Sequence, residues 1–301
     1  MIFELLIRLR YLLHFNKIRV HIWGGLGSQL FAVVIVRRIL QKYSGFKIEL
    51  FIHRAGVTER KLEIPELDRD IVTIREVSDF NPRINQDVRS RNFGPSAWLR
   101  KIVRRQLLFL GFLSSVSNEL EFRRLKPWLV STRGHYSNIS VSHDEALWII
   151  SYLFKKDLFL EEPKIFTCSI HFRLGDLLTL KEKTPLHPND LKMLLEQLDD
   201  GMPIIVLSDS PTDVTSSYLE AFIQQDNLHF MSLPTLQTVK TCMLSTLFIG
   251  TSSKISLWIT IFRYALNPQN VSYMPDFSRK QIETSIRKNS SVRFYKTSNS
   301  A

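Results

Sequence analysis

Apolar and polar positions divide the first half of the chain into short strands and longer helices. Alternating or continuous apolar runs predict strands at 18–23 and 47–53, with a helix over 30–43 between them. A further strand is expected at 71–74, and a strongly helical stretch covers 98–113. A strand, a glycine turn and a helix in this order are typical of the start of an α/β domain.

The second half alternates strand and helix more regularly. Strands are predicted at 165–170, 204–207, 228–231 and 245–249, and helices at 190–198, 218–225, 235–243 and 254–264. This alternation predicts a parallel, doubly wound sheet. Glu161, Glu162 and Pro163 break the pattern just before the first of these strands. We therefore expect two domains, at residues 1–160 and 161–301.

The charge balance indicates an anionic partner. The 301 residues include 40 Lys and Arg against 29 Asp and Glu, a formal charge of +11. Nucleic acid, an acidic membrane face and a phosphorylated substrate would all fit such a charge. The 98–113 helix places basic residues beside an apolar face, which predicts contact with anionic lipid or simply a solvated helix face. The basic residues of this region are Arg100, Lys101, Arg104, Arg105, Arg123, Arg124 and Lys126.

Four further features limit the class of protein. Cys168 and Cys242 lie in apolar runs without metal-ligand spacing, which favours buried thiols in a reducing cytoplasm. No apolar run reaches the roughly 18 residues that span a bilayer. The apolar segment 1–15 is expected to pack on the body as a helix, or to lie on anionic lipid. Asp68 and Asp70 form a DxD sequence before a predicted strand, which we interpret as a solvated turn rather than a metal site.

Polar side chains follow several of the predicted parallel strands. Arg173 comes directly after the strand at 165–170, where its fork of donors would suit a diphosphate, although a surface ion pair is the alternative. Asp209 and the segment Thr251, Ser252 and Ser253 follow two other strands. Because ligands of such sheets bind at the carboxyl ends of the strands, these residues predict a binding edge. Simple N-capping is the alternative for the Thr-Ser-Ser segment.

The glycine-rich turn after the first strand is a second candidate for anion binding. Gly24, Gly25 and Gly27 precede a helix, and Gln29 ends the segment. Glycines allow a ligand to approach the backbone, and a helix N-terminus offers N–H groups to an anion. The spacing is neither that of a dinucleotide fingerprint nor that of a P-loop. A tight structural turn is the alternative.

Together these motifs resemble those of the bacterial α-1,2-fucosyltransferases of glycosyltransferase family 11. The first motif, GGLGSQLF at 24–31, resembles GGLGNQLFQ, with Ser28 in place of Asn. The second, HFRLGDL at 171–177, resembles HxRRGDY, with Leu174 in place of the second Arg and Leu177 in place of the aromatic residue. Weaker matches are Gly134 to Ser137, the Ser-Asp pair at 208–209 and the Thr-Ser-Ser segment with Ser256 and Trp258.

The resemblance implies a GT-B-like fold, in which two Rossmann-like domains face a cleft. It implies an inverting α-1,2-fucosyl transfer from GDP-fucose without a metal ion or other cofactor. The C-terminal domain would bind the nucleotide sugar, and the N-terminal domain would serve the acceptor. The acceptor would be an oligosaccharide or a lipid-linked glycan of an O-antigen-type surface polysaccharide. The enzyme would work in the cytoplasm and could attach peripherally to the inner membrane. Nucleic acid is not an expected partner.

The resemblance also assigns roles to individual residues. Arg173 would neutralise charge on the leaving GDP, and His171 would shape the pocket. Asp176 is a candidate for the base, and ordering of the loop is the role that we favour for it. The residues expected at the donor are Gly25, Gly27, Gln29, Arg173, Asp209, Thr251, Ser252 and Ser253.

Three other functions stay open at this point. A related transferase could use another nucleotide sugar, since Leu174 and the late motif depart from the family. A basic protein without enzymatic activity could bind membrane or nucleic acid. A metal-dependent transferase could use Asp68 and Asp70.

Overall fold

A computed structural model describes residues 17–54, 60–77, 95–134, 136–154, 168–178, 185–198, 202–223, 227–286 and 291–298. The chain forms two compact units, Met1–Ser140 and Val141–Ala301. The sequence placed the division after residue 160, whereas the compact units divide before the helix His143–Phe154. This helix packs against the later helix Lys254–Leu266, and its His143 ring contacts the carbonyl of Ala265 at 3.1 Å.

The first unit is built on a five-stranded sheet. Its strands are β1 (Lys17–Trp23), β2 (Lys47–His53), β3 (Val72–Val77), β4 (Leu113–Ser115) and β5 (Ser131–Arg133). Its helices are α1 (Leu26–Lys42), α2 (Pro95–Phe109) and α3 (Glu119–Arg123). The strands are parallel and lie in the order β3-β2-β1-β5-β4. The direction in which successive strands are added to the sheet therefore reverses between β1 and β5.

Helix α1 is the central helix of this unit. Every residue from Leu26 to Val36 is buried, as expected of a helix that is apolar around most of its circumference. It packs on β1 and β2, whose Ile18, Val20, Ile22 and Leu50 are fully buried.

The second unit is built on a six-stranded sheet. Its strands are β6 (Cys168–Phe172), β7 (Ile204–Ser208), β8 (Leu228–Met231), β9 (Leu247–Gly250), β10 (Val271–Pro275) and β11 (Val292–Tyr295). Its helices are α4 (His143–Phe154), α5 (Pro188–Leu195), α6 (Thr212–Glu220), α7 (Thr235–Leu244), α8 (Lys254–Leu266) and α9 (Arg279–Glu283). All strand pairs are parallel, in the order β11-β10-β9-β6-β7-β8. Along the chain, β7 and β8 are added one after the other on one side of β6, and β9 then pairs with the opposite side of β6.

These two parallel sheets confirm the predicted fold class, α/β with two doubly wound units. Most predicted strands also appear within one or two residues of their expected positions. Helix α1 begins at Leu26 rather than at residue 30, because Gly25 already has the extended backbone of an N-cap. The glycine turn is therefore shorter than predicted, and Gly27 and Gln29 belong to the helix.

Several smaller predictions can be compared with the described residues. Cys168 and Cys242 are fully buried free thiols, as predicted. Asp68 and Asp70 are exposed in a turn before β3, where the Asp68 carboxylate accepts a hydrogen bond from the Asp70 amide at 3.1 Å. This confirms the solvated turn. Within the described ranges, no helix is long and apolar enough to cross a membrane. The predicted helix at 1–15 and residue His135 lie outside the described residues.

Candidate functional site

The candidate site lies at the carboxyl edge of the second sheet, between β6 and β9. These two strands are neighbours in the sheet. β7 and β8 lie on the far side of β6, and β10 and β11 lie on the far side of β9, so the order of the strands reverses between β6 and β9. In doubly wound sheets the loops at such a reversal diverge, which leaves a crevice where ligands bind. Arg173 follows β6, and Thr251 follows β9. The two sequence-predicted segments therefore meet at the reversal point.

The hydroxyl of Thr251 links the two strand ends. It donates to the carbonyl of His171 at 2.8 Å and accepts from the amide of Arg173 at 3.1 Å. Thr251 is only 1% exposed, so these bonds form away from water. The backbone of Arg173 is thereby fixed relative to β9, and the residue itself is half-buried.

The carboxylate of Asp209 holds the same loop from the other side. Its Oδ1 atom accepts from the amides of Leu174 and Gly175, both at 2.9 Å. A Cβ atom at Gly175 would lie 3.1 Å from the Asp209 carboxyl carbon, so the absent side chain permits this close approach. Asp209 is therefore a positioning residue for the loop that carries Arg173.

Leu174 lies in the hydrophobic core rather than at the edge. It is 0% exposed and packs in one cluster with Cys168, Ile170 and Phe172. These four residues alternate along the chain, so Leu174 continues the inward face of β6. The residue that replaces the family's second arginine is thus a core residue in this chain.

His171 joins β6 to the start of α8. Its Nδ1 atom lies 2.8 Å from the Ser256 hydroxyl and 3.3 Å from that of Ser253. Burial lowers the pKa of His171 to about 4, with a further lowering by Arg173 that Asp209 opposes. The imidazole is therefore neutral at neutral pH and acts as a buried brace behind the strand end.

The N-terminus of α8 completes this edge. Ser253 is its N-cap and accepts from the amide of Ser256 at 2.9 Å. The Ser256 hydroxyl in turn accepts from the amide of Thr251 at 3.1 Å. Ser252 is exposed beside them. The positive end of the helix dipole therefore adds to the charge of Arg173 at the same edge.

The glycine turn occupies the corresponding place in the first unit, after β1. Gly24 has φ +106, a backbone conformation that strains other residues. Gln29 is fully buried, and its side-chain amide donates to the carbonyls of Gly24 at 3.2 Å and Lys61 at 2.8 Å. It also accepts from the amide of Glu63 at 2.9 Å. Gln29 therefore fastens the 61–63 segment onto the turn.

Glu63 places its own carboxylate at the N-terminus of α1. Its Oε1 atom accepts from the amide of Leu26 at 3.0 Å. A Cβ atom on Gly25 would lie 2.9 Å from the same oxygen, so glycine leaves room for this carboxylate. The sequence predicted that an anion binds at this turn. In the described structure the Glu63 carboxylate of the same chain lies there.

A pair of histidines lies on β1 and β2 of the first unit. His21 Nδ1 and His53 Nε2 are 2.9 Å apart, and His53 stacks on Trp23 with ring centroids 4.4 Å apart. Burial lowers the pKa of both histidines to about 4; for His21, the proximity of His53 contributes next. Sequence reasoning missed this pair. The register of β1 and β2 places His53 opposite Trp23, two residues after His21, so both histidines lie on one face of the sheet.

The buried histidines predict acid sensitivity. An unfolded chain protonates histidine near pH 6.5, whereas the folded pKa of His171 is about 4. The unfolded state thus binds more protons between these values, and the free energy of unfolding falls as pH drops from about 6.5 to about 4. His171 alone accounts for a loss of up to about 3 kcal/mol.

Denaturant unfolding at several pH values measures this loss. We expect His171→Gln to be less stable at neutral pH but to show a smaller decrease on acidification. His229 is exposed on β8, so His229→Gln serves as the control and should retain the wild-type slope. Equal slopes for all three proteins would contradict the assignment.

The structure thus groups the predicted site residues by unit. His171, Arg173, Asp209, Thr251 and Ser253 meet at one edge of the second sheet, where Asp176 begins a short 3-10 turn, Asp176–Leu178. Gly25, Gly27 and Gln29 form the turn of the first unit. Ser256 and Glu63 were not assigned roles from the sequence, since each acts through a contact that only the fold creates.

Comparisons with known proteins leave the family open. No protein-family model and no curated protein matches the chain. Among solved structures, E. coli heptosyltransferase WaaC with ADP is similar at 10% identity, with 93% of each chain covered and a TM-score of 0.44. NodZ alpha-1,6-fucosyltransferase soaked with GDP-fucose is similar at 14% identity, with 87% of this chain and 96% of that chain covered and a TM-score of 0.41.

A glycosyltransferase of family 9 from Veillonella parvula DSM 2008 is also similar, at 10% identity and a TM-score of 0.42. The alignment covers 94% of this chain and 86% of that chain. Likenesses at this level assign neither an activity nor a substrate.

Proposed function

We propose that the protein is a glycosyltransferase of GT-B type that binds a nucleotide-sugar donor at the carboxyl edge of the second sheet. The observation that carries this proposal is the meeting of Arg173 and Thr251 at the reversal point between β6 and β9. A cationic fork fixed at such a point suits the diphosphate of a nucleotide sugar. The GGLGSQLF and HFRLGDL motifs, which resemble those of α-1,2-fucosyltransferases, support GDP-fucose as the donor.

The proposed reaction is an inverting transfer. The acceptor hydroxyl oxygen attacks the anomeric carbon from the side opposite the leaving group, while the bond from that carbon to the diphosphate oxygen breaks. Charge builds on the departing diphosphate, and Arg173 stabilises it without a metal ion. A base takes the hydroxyl proton. Asp176 is a candidate for this base, although ordering of the loop is the role that we favour for it. The product is an α-1,2-linked fucosyl glycan of a surface polysaccharide.

Asp209, Thr251 and His171 act through the loop in this proposal. Their described hydrogen bonds are made to backbone groups of the loop, or to Ser253 and Ser256, so they position Arg173 rather than react. Thr251 and His171 are buried, and buried polar groups that are hydrogen-bonded keep a loop in one conformation. Such pre-organisation lets Arg173 meet the developing charge without first reorganising.

Nucleotide binding and donor turnover test the proposal. Calorimetric titration with GDP, ADP and UDP in EDTA is expected to give binding to GDP, and GDP-fucose is expected to release GDP with an oligosaccharide acceptor present. Preference for ADP or UDP would assign another nucleotide sugar to the same edge. Binding that requires added Mg²⁺ would contradict the metal-free mechanism. Failure to bind any of the three nucleotides would overturn the proposal.

A further inference from the structure

Helix α2 of the first unit exposes large apolar side chains to solvent. Phe109 is 85% exposed, more than any other large apolar side chain that the structure describes. Val103 is 49% and Leu110 42% exposed, and Ile102 lies nearby on the helix at 36%. Exposed apolar groups in one continuous patch are unusual on a monomeric protein and mark an interaction surface.

The helical spacing places these groups on one side. Ile102, Arg105, Gln106 and Phe109 follow the i, i+3, i+4, i+7 pattern of a single face, and Val103 lies on its flank. Arg104 and Leu107, the half-buried residues of this stretch, lie on the opposite side. The outward face of α2 therefore combines apolar side chains with a basic one.

The end of α3 and the segment that follows it carry further positive charge. The indole of Trp128 donates to the carbonyl of Leu110 at 2.6 Å, and a Cβ atom at Gly111 would lie 2.7 Å from Lys126 Cγ. Lys126 is exposed, as are Arg123 and Arg124. The sequence of α2 itself contains no acidic residue. Lys126 therefore lies beside the apolar end of α2, and together they form one surface. Arg123, close to Lys126 along the chain, is paired with the Glu119 carboxylate at 3.7 Å.

We propose that this surface docks on an anionic lipid bilayer, with Phe109 and Leu110 entering the boundary between headgroups and acyl chains. Arg105 and Lys126 would then lie at the level of the lipid phosphates, as in interfacial amphipathic helices. A second copy of the chain fits less well, because a symmetric contact would bring the same basic groups together. A nucleic acid duplex fits less well, because its base faces are stacked inside the helix and leave no apolar surface for the exposed aliphatic and aromatic groups.

Vesicle co-sedimentation of the full chain tests this proposal. We expect binding to phosphatidylcholine vesicles that contain about 30% phosphatidylglycerol, with little binding to pure phosphatidylcholine and weaker binding at high salt. Phe109→Ser should weaken binding by about tenfold, since a buried phenyl group is lost. Arg105→Glu should weaken it by about fivefold or more.

Two control variants lie in the second unit. Met193 is 66% exposed on α5, and Lys280 is exposed on α9. Met193→Ser and Lys280→Glu repeat the polarity and charge changes, and both should retain wild-type binding. Circular dichroism verifies that each variant is folded.

Three results would overturn the proposal. The first is no binding to either type of vesicle, and the second is equal weakening by the test and control variants. The third is a concentration-dependent dimer that Phe109→Ser abolishes, as measured by sedimentation velocity, since it would assign the surface to self-association. Because these readouts need no nucleotide, they are independent of the proposed activity.

Discussion

Replacing Arg173 with alanine is expected to slow release of GDP from GDP-fucose by about 10²–10³-fold, the usual cost of removing one donor that stabilises transition-state charge. The loop should survive the substitution, because Asp209 and Thr251 accept hydrogen bonds from its backbone amides, which the substitution leaves in place. The loss should therefore appear mainly in kcat. Steady-state GDP release, with the thermal unfolding of each variant as a fold check, provides the measurement.

Two further variants sharpen this prediction. Arg173→Lys keeps the charge but loses the planar fork of donors, so we expect an intermediate loss. Arg293 is exposed on β11, where it lies over the ring of Tyr273. Arg293→Ala should leave turnover unchanged. Wild-type rates for Arg173→Ala would remove Arg173 from the proposed mechanism.

The largest loss of stability is expected when Arg263 is replaced. This residue is 0% exposed in α8, and its guanidinium donates to the carbonyls of Cys242 at 3.0 Å and Val271 at 3.0 Å, among others. Burial lowers its pKa to about 10, so it stays charged at neutral pH. The remaining acceptors are Met243, Ser245, Thr246 and Ser272.

We expect Arg263→Met to lower the free energy of unfolding by about 4 kcal/mol or more, because it leaves several buried carbonyls at the end of α7 without donors. Arg263→Lys should lose less, since it keeps the charge at the C-terminus of that helix. Guanidinium unfolding followed by circular dichroism measures both. The surface control Arg293→Met should change stability by less than about 0.5 kcal/mol. A similar small change at Arg263 would contradict the argument.

The strands that follow a simple pattern could be predicted from the sequence. β2 matches its prediction at both ends, and β7 differs by one residue, because both consist of apolar β-prone runs. β10 and β11 were missed, since VSYMP and VRFY are short and mix apolar with polar residues. β11 lies in the polar C-terminal stretch of the sequence, for which no strand was predicted. Its burial depends on pairing with β10, a tertiary contact that local pattern does not encode.

The place of Arg173 after β6 could be predicted from the sequence, whereas the contacts that hold its loop could not. Arg173 was identified because it follows a strong strand. Contacts of Asp209 and Thr251 with the donor stay a prediction. Their described hydrogen bonds to the loop were not predicted. Leu174 could have been assigned to the core from its alternation with Ile170 and Phe172. Glu63 could not have been found, because its contact with Leu26 depends on how the 60–64 segment folds back.

The pairing of β6 with β9 also determines when the site can form during synthesis. The hydrogen bond between Arg173 and Thr251 spans 78 residues of chain, and the intervening β7 and β8 lie on the far side of β6. A nascent chain that ends before β9 can pair β6 with β7, but it leaves the other edge of β6 open. Contacts between distant residues form slowly because the loop must close first. Until α8 and β9 emerge from the ribosome, that unpaired edge is exposed to association with other chains.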